Sequence, residues 1–283
     1  MPRPSLRRRR LVGALRRLRE EAGLTLGEAA KRADFSHSKL SRIEKLHLGI
    51  NSDDVRTLCE VFEVDKETTE ALAHLARQAR RRGWWHVYSD DVLGRFVDFV
   101  ELETDAKSIN EFAVDVIPGL LQTEDYAKAV IRHAFPAADE DTIDQRAKLR
   151  AERQQRWFYR KFEYWAIVDE AALRRPIGSA TIMEKQLEQL TSLASTPWLT
   201  LQVLPTDISG HMALGTPYIL IRLLDRANFV YLDTLTGGLY LEDESDIEVY
   251  QLAWKRLAAT ALDFDRSVAL TERIADDHRR THG

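Results

Sequence analysis

Apolar residues recur at helical spacing along the first eighty residues of the chain, with no strand-like alternation. Leu11, Leu15 and Leu18 share one face of a first helix that ends at Gly23, a residue that readily takes the left-handed conformation of a helix C-terminus. Thr25 precedes the next periodic segment as a typical helix N-cap. The pattern predicts an N-terminal all-α bundle of about five helices.

The third helix of this bundle is predicted to begin after Ser36 and to present a polar, partly basic face. Leu40 and Ile43 face inward at helical spacing. The polar residues around them are His37, Ser38, Lys39, Ser41 and Arg42. Such a face is typical of a helix that lies in a DNA groove, since these side chains can donate to base edges. A solvated face of a small bundle is the alternative.

Beyond residue 83 the pattern becomes a mixture of helical and strand-like segments. We expect helices at about 90–108, 124–134, 140–157, 180–194, 243–261 and 265–279, and strands at 112–116, 164–168, 199–204, 218–223 and 229–232. This order predicts a C-terminal mixed α/β domain in which helices cover a sheet.

Chain length and charge divide the molecule at the same place. A chain of 283 residues exceeds the usual ~100–200 residues of one domain, so we predict two domains, 1–82 and 83–283. The first holds 19 Lys and Arg against 12 Asp and Glu, and the second holds 22 against 33. This asymmetry predicts that only the first domain binds a polyanion such as double-stranded DNA.

The single cysteine, Cys59, excludes an internal disulfide and a cysteine-rich zinc cluster. No apolar run approaches the ~18 residues that span a bilayer, and no signal-peptide segment follows the N-terminal arginines. We therefore expect a cytoplasmic protein that uses no metal and no cofactor.

One run of residues resembles the Xre-type helix-turn-helix domain, the fold of the phage Cro and repressor proteins. It comprises Leu18, Arg19, Gly23, Leu24, Thr25, Ala30, Phe35, Ser36, Leu40, Ser41, Arg42, Ile43 and Glu44. The resemblance covers residues 8–80 and implies that the third helix lies in the major groove. It makes His37, Ser38, Lys39, Ser41 and Arg42 the candidate base-reading residues, with Arg42 and Lys39 favoured as guanine contacts.

The same resemblance implies contacts that position the domain on DNA without specifying a sequence. The candidate phosphate contacts are Thr25, Lys45, Asn51 and Ser52. Arg19 and Glu44 resemble the partly buried ion pair that ties the first helix to the reading helix, a structural role. Leu26 stands where such domains usually have a glutamine that fixes a phosphate, so we expect modest affinity per monomer.

Two further features, one in the first domain and one just after its boundary, each allow two interpretations. The run Arg7-Arg8-Arg9-Arg10 is either a flexible arm that adds phosphate contacts or a solvated charge run. Trp84 and Trp85 either line an effector pocket or anchor the linker.

Four segments resemble a large actinobacterial family that joins an Xre-type domain to a C-terminal domain of poorly defined activity. They are residues 84–85, 117–127, 169–176 and 201–205. Members are often described as antitoxin-like transcriptional regulators. The resemblance implies regulation, frequently beside a gene for a small partner protein, and it supplies no catalytic residues.

Catalysis in the second domain must be weighed, because acidic residues and His211 follow strand-like segments. The acidic residues are Asp169, Glu170, Asp207, Asp225 and Asp233. No nucleophile elbow, P-loop, dinucleotide fingerprint or paired-histidine zinc motif is present, so we expect no enzyme. Tyr126, Arg146 and Arg153 either face a ligand or serve as packing and solvated residues.

The sequence thus predicts a sequence-specific DNA-binding transcription regulator whose second domain dimerises and senses a small partner protein or a ligand. We expect a homodimer because two N-terminal domains give a palindromic footprint and neutralise more phosphates than one. Two alternatives stay open. One is an antitoxin-like binder of a small neighbour-encoded protein with autoregulatory DNA binding, and the other is a DNA-tethered small-molecule enzyme that uses His211 or Asp207.

Overall fold

The computed structural model describes residues 4–80, 83–225 and 227–282. The chain divides into two compact units, Met1–His86 and Val87–Gly283. The domain boundary that we predict after residue 82 falls at residues 81–82, which lie outside the described ranges. Each unit has a hydrophobic core of its own.

The N-terminal unit contains five α-helices, which confirms the all-α prediction. They are α1 (Leu6–Glu21), α2 (Leu26–Arg32), α3 (His37–Glu44), α4 (Ser52–Val61) and α5 (Lys66–Ala79). Each begins at a side-chain cap, since Ser5, Thr25, Ser36, Asn51 and Asp65 all accept a hydrogen bond from a first-turn amide. A short 3₁₀ helix, Trp84–Val87, follows α5.

The first four helices end at residues in the left-handed conformation. These residues are Gly23, Asp34, Leu46 and Glu63, with φ of 69°, 56°, 61° and 57°. Such a residue turns the chain sharply, so the connections between these helices stay short. The turn from α2 to α3 occupies residues 33–36 and is closed by a 2.8 Å hydrogen bond from the Phe35 amide to the Ala30 carbonyl.

Small and branched side chains fill the core of the N-terminal unit. Ala29 and Ala30 of α2 are almost fully buried, which lets α2 approach its neighbours closely. Leu40 and Ile43 of α3 belong to the same cluster and are each 1% exposed. This packing fixes one face of α3 against the bundle and leaves the other face outside.

The C-terminal unit alternates helices and strands. Its helices are α6 (Asp90–Leu93), α7 (Val97–Asp105), α8 (Glu124–Ala134), α9 (Glu140–Arg160), α10 (Glu170–Arg174), α11 (Ala180–Ala194), α12 (Glu244–Thr260) and α13 (Phe264–His282). Its strands are β1 (Ala106–Ala113), β2 (Glu163–Asp169), β3 (Leu199–Leu204), β4 (Tyr218–Leu223), β5 (Asn228–Thr234) and β6 (Gly237–Leu241). The predicted sheet covered by helices is confirmed.

The six strands form one mixed sheet in the order β3-β2-β1-β4-β5-β6. Strands β1, β2 and β3 run parallel, and β4, β5 and β6 continue as an antiparallel meander beside β1. Phe112 of β1 lies opposite Ile167 of β2 and Tyr218 of β4. The parallel half needs helical crossovers, and α8 to α11 supply them.

Helices pack on the sheet through apolar residues that repeat at helical spacing. Ile247, Trp254 and Leu257 of α12 share a core cluster with Phe112 and Val230 of the sheet. Helix α13 packs along α11 and β3. The Ser267 hydroxyl accepts a 2.9 Å hydrogen bond from the Val203 amide, so the edge strand β3 is covered.

Several predicted ends differ from the structure by one to three residues, and two predicted elements differ by more. The strand expected at 112–116 runs instead from Ala106 to Ala113, and the chain leaves the sheet at Val114. The helix expected at 90–108 is broken by a 3₁₀ turn, Gly94–Phe96, and ends at Asp105. The glycine-rich edge strand β6 was not predicted at all.

Candidate nucleic-acid interface

The buried side of α3 determines which of its residues face outward. Leu40 and Ile43 point into the core, three positions apart on one side of the helix. His37, Ser38 and Arg42 are exposed on the opposite side, with Ser41 half-buried beside them. Because residues four apart lie one turn above each other, the pairs 37 with 41 and 38 with 42 form a continuous polar face.

A shielded ion pair holds α3 against α1. The Arg19 guanidinium donates from Nε to Glu44 Oε1 at 2.7 Å and from Nη2 to Glu44 Oε2 at 3.2 Å. Its Nη1 also donates to the Leu24 carbonyl at 2.7 Å. The hydrogen bond to Glu44 raises the pKa of Arg19, against the opposing effect of burial. The structure thus contains the ion pair that the sequence resemblance implies, with α3 clamped at its C-terminal end.

Lys39 lies at the edge of the polar face of α3, and its side chain already has partners inside the N-terminal unit. Its Nζ donates to Asp54 Oδ1 of α4 at 2.8 Å and sits 3.5 Å from the centroid of the Phe35 ring. Both charged side chains are only partly exposed. A contact from Lys39 to a base would therefore require this ion pair to open.

Arg42, unlike Lys39, is exposed and unpaired: among the residues that the structure describes, its side chain makes no hydrogen bond or ion pair. Arginine presents five N–H donors, two of which match the O6 and N7 acceptors of guanine. Of the two cations favoured from the sequence, only Arg42 is available without rearrangement.

The predicted phosphate contacts also differ in availability. Lys45 caps the C-terminus of α3 with an exposed side chain. The Asn51 side chain accepts hydrogen bonds from the Asp53 and Asp54 amides at 2.9 and 2.8 Å, so its oxygen is committed to capping α4. Ser52 opens α4 and is partly buried. Of these candidates, Lys45 is the one with an exposed charge, and the described residues give its side chain no ion pair.

Thr25 belongs to a complete capping box at the start of α2. The Thr25 amide and hydroxyl donate to Glu28 Oε2 at 2.9 and 2.6 Å, and the Glu28 amide donates back to the hydroxyl at 3.3 Å. The hydrogen bonds from Thr25 lower the pKa of Glu28. A phosphate at this helix end would meet a carboxylate, which argues against a strong contact at Thr25.

The arginine run at the N-terminus is helical. Arg7 to Arg10 lie in the first turns of α1, which corrects the flexible-arm interpretation. Arg7 is 6% exposed, with its guanidinium 5.7 Å from the Trp85 ring centroid, so a fully solvated run is wrong as well. Arg8 Nη2 donates to the Leu46 carbonyl at 2.8 Å, just beyond the end of α3.

Sequence reasoning missed Asp54 and Glu28 as neighbours of the interface, and it missed the contact of Arg8 with the residue that follows α3. Glu28 had a local signal, since Thr25 and Glu28 have capping-box spacing. The contacts of Asp54 with Lys39 and of Arg8 with Leu46 join residues 15 and 38 positions apart. No local pattern encodes such pairings.

The aromatic and histidine candidates near and beyond the linker contact neighbouring residues, whereas two of the basic candidates line a cavity. Trp85 is 3% exposed, consistent with an anchor. Tyr126 is buried, and its hydroxyl accepts a 3.2 Å hydrogen bond from the Ile117 amide. The His211 ring packs edge-on against Phe112 at 5.3 Å. Arg146 and Arg153 line a cavity beside the sheet.

Within residues 4–80, 83–225 and 227–282, no group of three or more His, Cys, Asp or Glu residues is placed to hold a metal ion. Across the same ranges, none of the helices combines the length and the apolar character that crossing a membrane requires.

Each of the two units matches a known protein-family model. Residues 10–72 match the family model described as a helix-turn-helix domain, which supports a DNA-binding regulator of transcription. Residues 96–273 match the model described as a domain of unknown function, DUF5753. No curated protein and no solved structure gives a significant match. Because the second match covers well over half of the chain, the protein belongs to the DUF5753 family, with a helix-turn-helix domain in front of the family domain.

Proposed function

We propose that this protein is a sequence-specific transcription regulator that reads its operator with the outer face of α3. The observation that carries the proposal is the environment of Arg42, an exposed cation with no described partner on a helix whose opposite face is locked in the core. The Arg19 to Glu44 clamp holds that face in a fixed orientation. A rigid helix that presents unpaired donors suits base recognition in the major groove.

The roles of the other residues follow from their partners. His37 and Ser38 lie one turn before Ser41 and Arg42, so they extend the reading face. Lys45, one turn after Ser41, is the primary phosphate contact. Lys39 stabilises the packing of α3 against α4 through Asp54 and reads a base only when that pair opens.

The test is selection of bound DNA from a random pool with the full-length protein at about 0.15 M salt. We expect an enriched motif for the wild type. Arg42→Ala should lose about 1–3 kcal/mol at the selected site and flatten base preference at one position. Lys45→Ala should weaken binding to all sequences and reduce the slope of log affinity against log salt by about one.

Arg77→Ala is the matched control, because Arg77 is an exposed arginine on α5, outside the helix-turn-helix motif. It removes the same charge and should leave the preferred motif unchanged. If Arg42→Ala and Arg77→Ala have equal effects on selected and random DNA, the reading role of α3 is wrong.

We also propose that the C-terminal domain joins two chains and senses a ligand or a small partner protein by binding, without catalysis. Two heads would place recognition helices about one helical turn of DNA apart and give a palindromic motif. Sedimentation at micromolar concentration should give the mass of two chains. A mass of one chain with a non-palindromic motif contradicts the dimer, and substrate turnover that is lost in His211→Ala or Asp207→Ala contradicts a purely binding role.

A further inference from the structure

The C-terminal unit contains a cavity of about 330 Å³ against one face of its sheet, which we call the sheet cavity. Glu111 of β1, Ile219 of β4 and Tyr231 of β5 lie on the same face of the sheet and form its floor, and residues of α7, α8 and α9 form its walls. Its volume is at the lower end of the ~300–1,000 Å³ typical of small-molecule sites. At ~30 Å³ for each water-sized group, it has room for about eleven such groups.

The walls of the sheet cavity are mainly apolar. Phe96, Phe99, Val100, Val130, Phe135 and Leu149 all line it. Burial of an apolar ligand surface against such walls contributes roughly 25 cal/mol for each Å² removed from water. The walls therefore favour a ligand with a hydrocarbon or aromatic body.

Three arginines of α9 enter this apolar space. Arg146, Arg150 and Arg153 all line the cavity. Arg153 is neutralised by Glu103, with hydrogen bonds of 2.8 and 2.6 Å to the two carboxylate oxygens. Arg146 donates to the Asp91 carbonyl and stacks 3.8 Å from the centroid of Phe135.

Arg150 differs because the described residues give it no ion pair, although Glu111 and Asp233 act on it at longer range. Its Nη1 donates to the side-chain oxygen of Gln122, an uncharged acceptor. Burial and the neighbouring Arg153 lower the pKa of Arg150 to about 10, against the raising effect of these two acids, so it remains a cation at neutral pH. A guanidinium has five N–H donors, and one contact leaves several of them for a ligand.

The acidic residues around the cavity have partners other than Arg150. Glu111 accepts a 2.6 Å hydrogen bond from the Tyr164 hydroxyl, Asp115 pairs with Arg175 at 3.1 Å, and Asp233 accepts from the Tyr231 hydroxyl at 3.2 Å. The site thus presents, within mainly apolar walls, a cation that has no ion pair among the described residues. A cation in such surroundings is costly unless an anion joins it.

We propose that the sheet cavity binds a small organic anion with an apolar body, a monocarboxylate whose carboxylate pairs with Arg150. The body of the ligand lies against Phe99, Tyr231 and the surrounding aliphatic side chains. This inference rests on the proposed ligand-sensing role of the C-terminal domain and names the site and ligand class. Binding of the anion itself is measurable without DNA.

The test is calorimetric titration of the full-length protein with hexanoate, octanoate, decanoate and 2-naphthoate, below concentrations at which they aggregate. Decanol and decylamine serve as uncharged and cationic counterparts of decanoate. We expect at least one carboxylate to bind saturably with one site per chain. Decanol and decylamine should bind at least tenfold more weakly than decanoate, since neither has an anionic group to accept charge-assisted hydrogen bonds from Arg150.

Arg150→Gln should weaken binding of that carboxylate about 10-fold to 100-fold, whereas Lys148→Gln should not change it. Lys148 is an exposed residue of the same helix, so its variant removes the same charge outside the cavity. Val130→Phe, which fills the cavity, is the second variant and should abolish binding. The melting temperature of each ligand-free variant reports whether it has folded.

Three outcomes overturn the proposal. They are no saturable binding by any of the four carboxylates, equal binding of decanoate, decanol and decylamine, and unchanged carboxylate affinity in both folded cavity variants. If a carboxylate binds through Arg150 but leaves operator affinity unchanged, the binding site is confirmed and the proposed sensing role is wrong. If no operator is selected, the calorimetric result still decides the site.

Discussion

Arg19 and Glu44 form the least exposed ion pair described in the N-terminal unit. Their side chains are 10% and 14% exposed, so both charges have lost most of their hydration. Two hydrogen bonds between them, together with the bond to the Leu24 carbonyl, compensate for that loss. Removal of one partner leaves the other charge shielded from water without an ion pair.

Glu44→Ala should therefore destabilise the N-terminal unit by about 3 kcal/mol. Glu70→Ala is the control, because its pair with Arg56 is largely solvated and should contribute less than about 1 kcal/mol. Hydrogen exchange of the α1 and α4 amides in the full-length protein measures both effects. Equal losses in the two variants would show that burial does not strengthen the Arg19 to Glu44 contact.

A second residue, Glu111, has an unusual proton affinity. Burial raises its pKa to about 7, although the hydrogen bond from Tyr164 opposes that rise. In the unfolded chain the carboxyl group would titrate near 4.5. Between these two values the folded protein holds the proton that the unfolded chain releases, so stability falls as pH rises through this window.

Glu111→Gln removes this loss of stability at higher pH, because the glutamine amide stays uncharged. The difference in unfolding free energy between the variant and the wild type should grow by on the order of 2 kcal/mol from pH 5 to pH 8, after allowance for partial exposure. Urea unfolding followed by tryptophan fluorescence at both pH values gives the difference. Glu248→Gln, an exposed change on α12, should show no such pH dependence. A constant difference between Glu111→Gln and the wild type would contradict the raised pKa.

The sequence predicted the polar face of α3 but not which of its cations is available. Periodicity places Lys39 and Arg42 together outside the core, because both flank buried positions at helical spacing. Only the tertiary approach of α4 distinguishes them, since it brings Asp54 to Lys39. Site residues can thus be predicted from a pattern, whereas their partners depend on long-range packing.

At the scale of elements, the helix ends of the N-terminal unit depend on left-handed residues. Glycine occupies that position after α1, but Asp34, Leu46 and Glu63 occupy it after α2, α3 and α4. A side chain at positive φ costs roughly 1–2 kcal/mol relative to glycine, less the ~0.5–1 kcal/mol that glycine loses in chain entropy. These three helix ends are therefore not at their most stable.

Glu63→Gly should stabilise the N-terminal unit by up to about 1 kcal/mol, because Glu63 is exposed and its φ is 57°. Glu60→Gly makes the same exchange three residues earlier, inside α4, and should destabilise the unit by about 1 kcal/mol. Hydrogen exchange of the α4 amides reports both changes. A loss of stability in both variants would show that the left-handed residue carries no strain.

The elements that the sequence predicted best have strong local signals. Helices α8 and α11 and strands β3 and β4 have the predicted bounds because caps or apolar runs mark them. Strand β1 was shifted because its polar residues, Ser108 and Glu111, find partners only across the sheet, in Arg222 and Tyr164. Strand β6 was missed because glycine disfavours strands, yet at Gly238 it leaves room for the Tyr231 ring.

At the scale of the molecule, charge and binding sites are divided between the units. Residues 1–82 carry a formal charge of +7 and the remainder carries −11, so DNA contacts fall to the N-terminal unit. The proposed anion site lies in the C-terminal unit. Coupling between the two sites would follow thermodynamic linkage, which is reciprocal.

Linkage gives a quantitative prediction for the carboxylate that binds the sheet cavity. We expect it to change operator affinity by about 5–150-fold, and the operator should change carboxylate affinity by the same factor. Calorimetry on free and operator-bound protein, combined with operator titrations at saturating carboxylate, measures both factors. Unequal factors would reveal a second carboxylate site on the protein or the DNA.

The position of β1 in the middle of the sheet also determines the order of events during synthesis. Its partners β2 and β4 lie downstream, and Ser108 pairs with Arg222, 114 residues later. At about 5–20 residues per second, a ribosome needs roughly 6–23 s to make that segment. The helical N-terminal unit, with its short connections, folds within milliseconds once it emerges. In each newly made chain the N-terminal unit is thus already folded before the last strands of the C-terminal sheet have been synthesised.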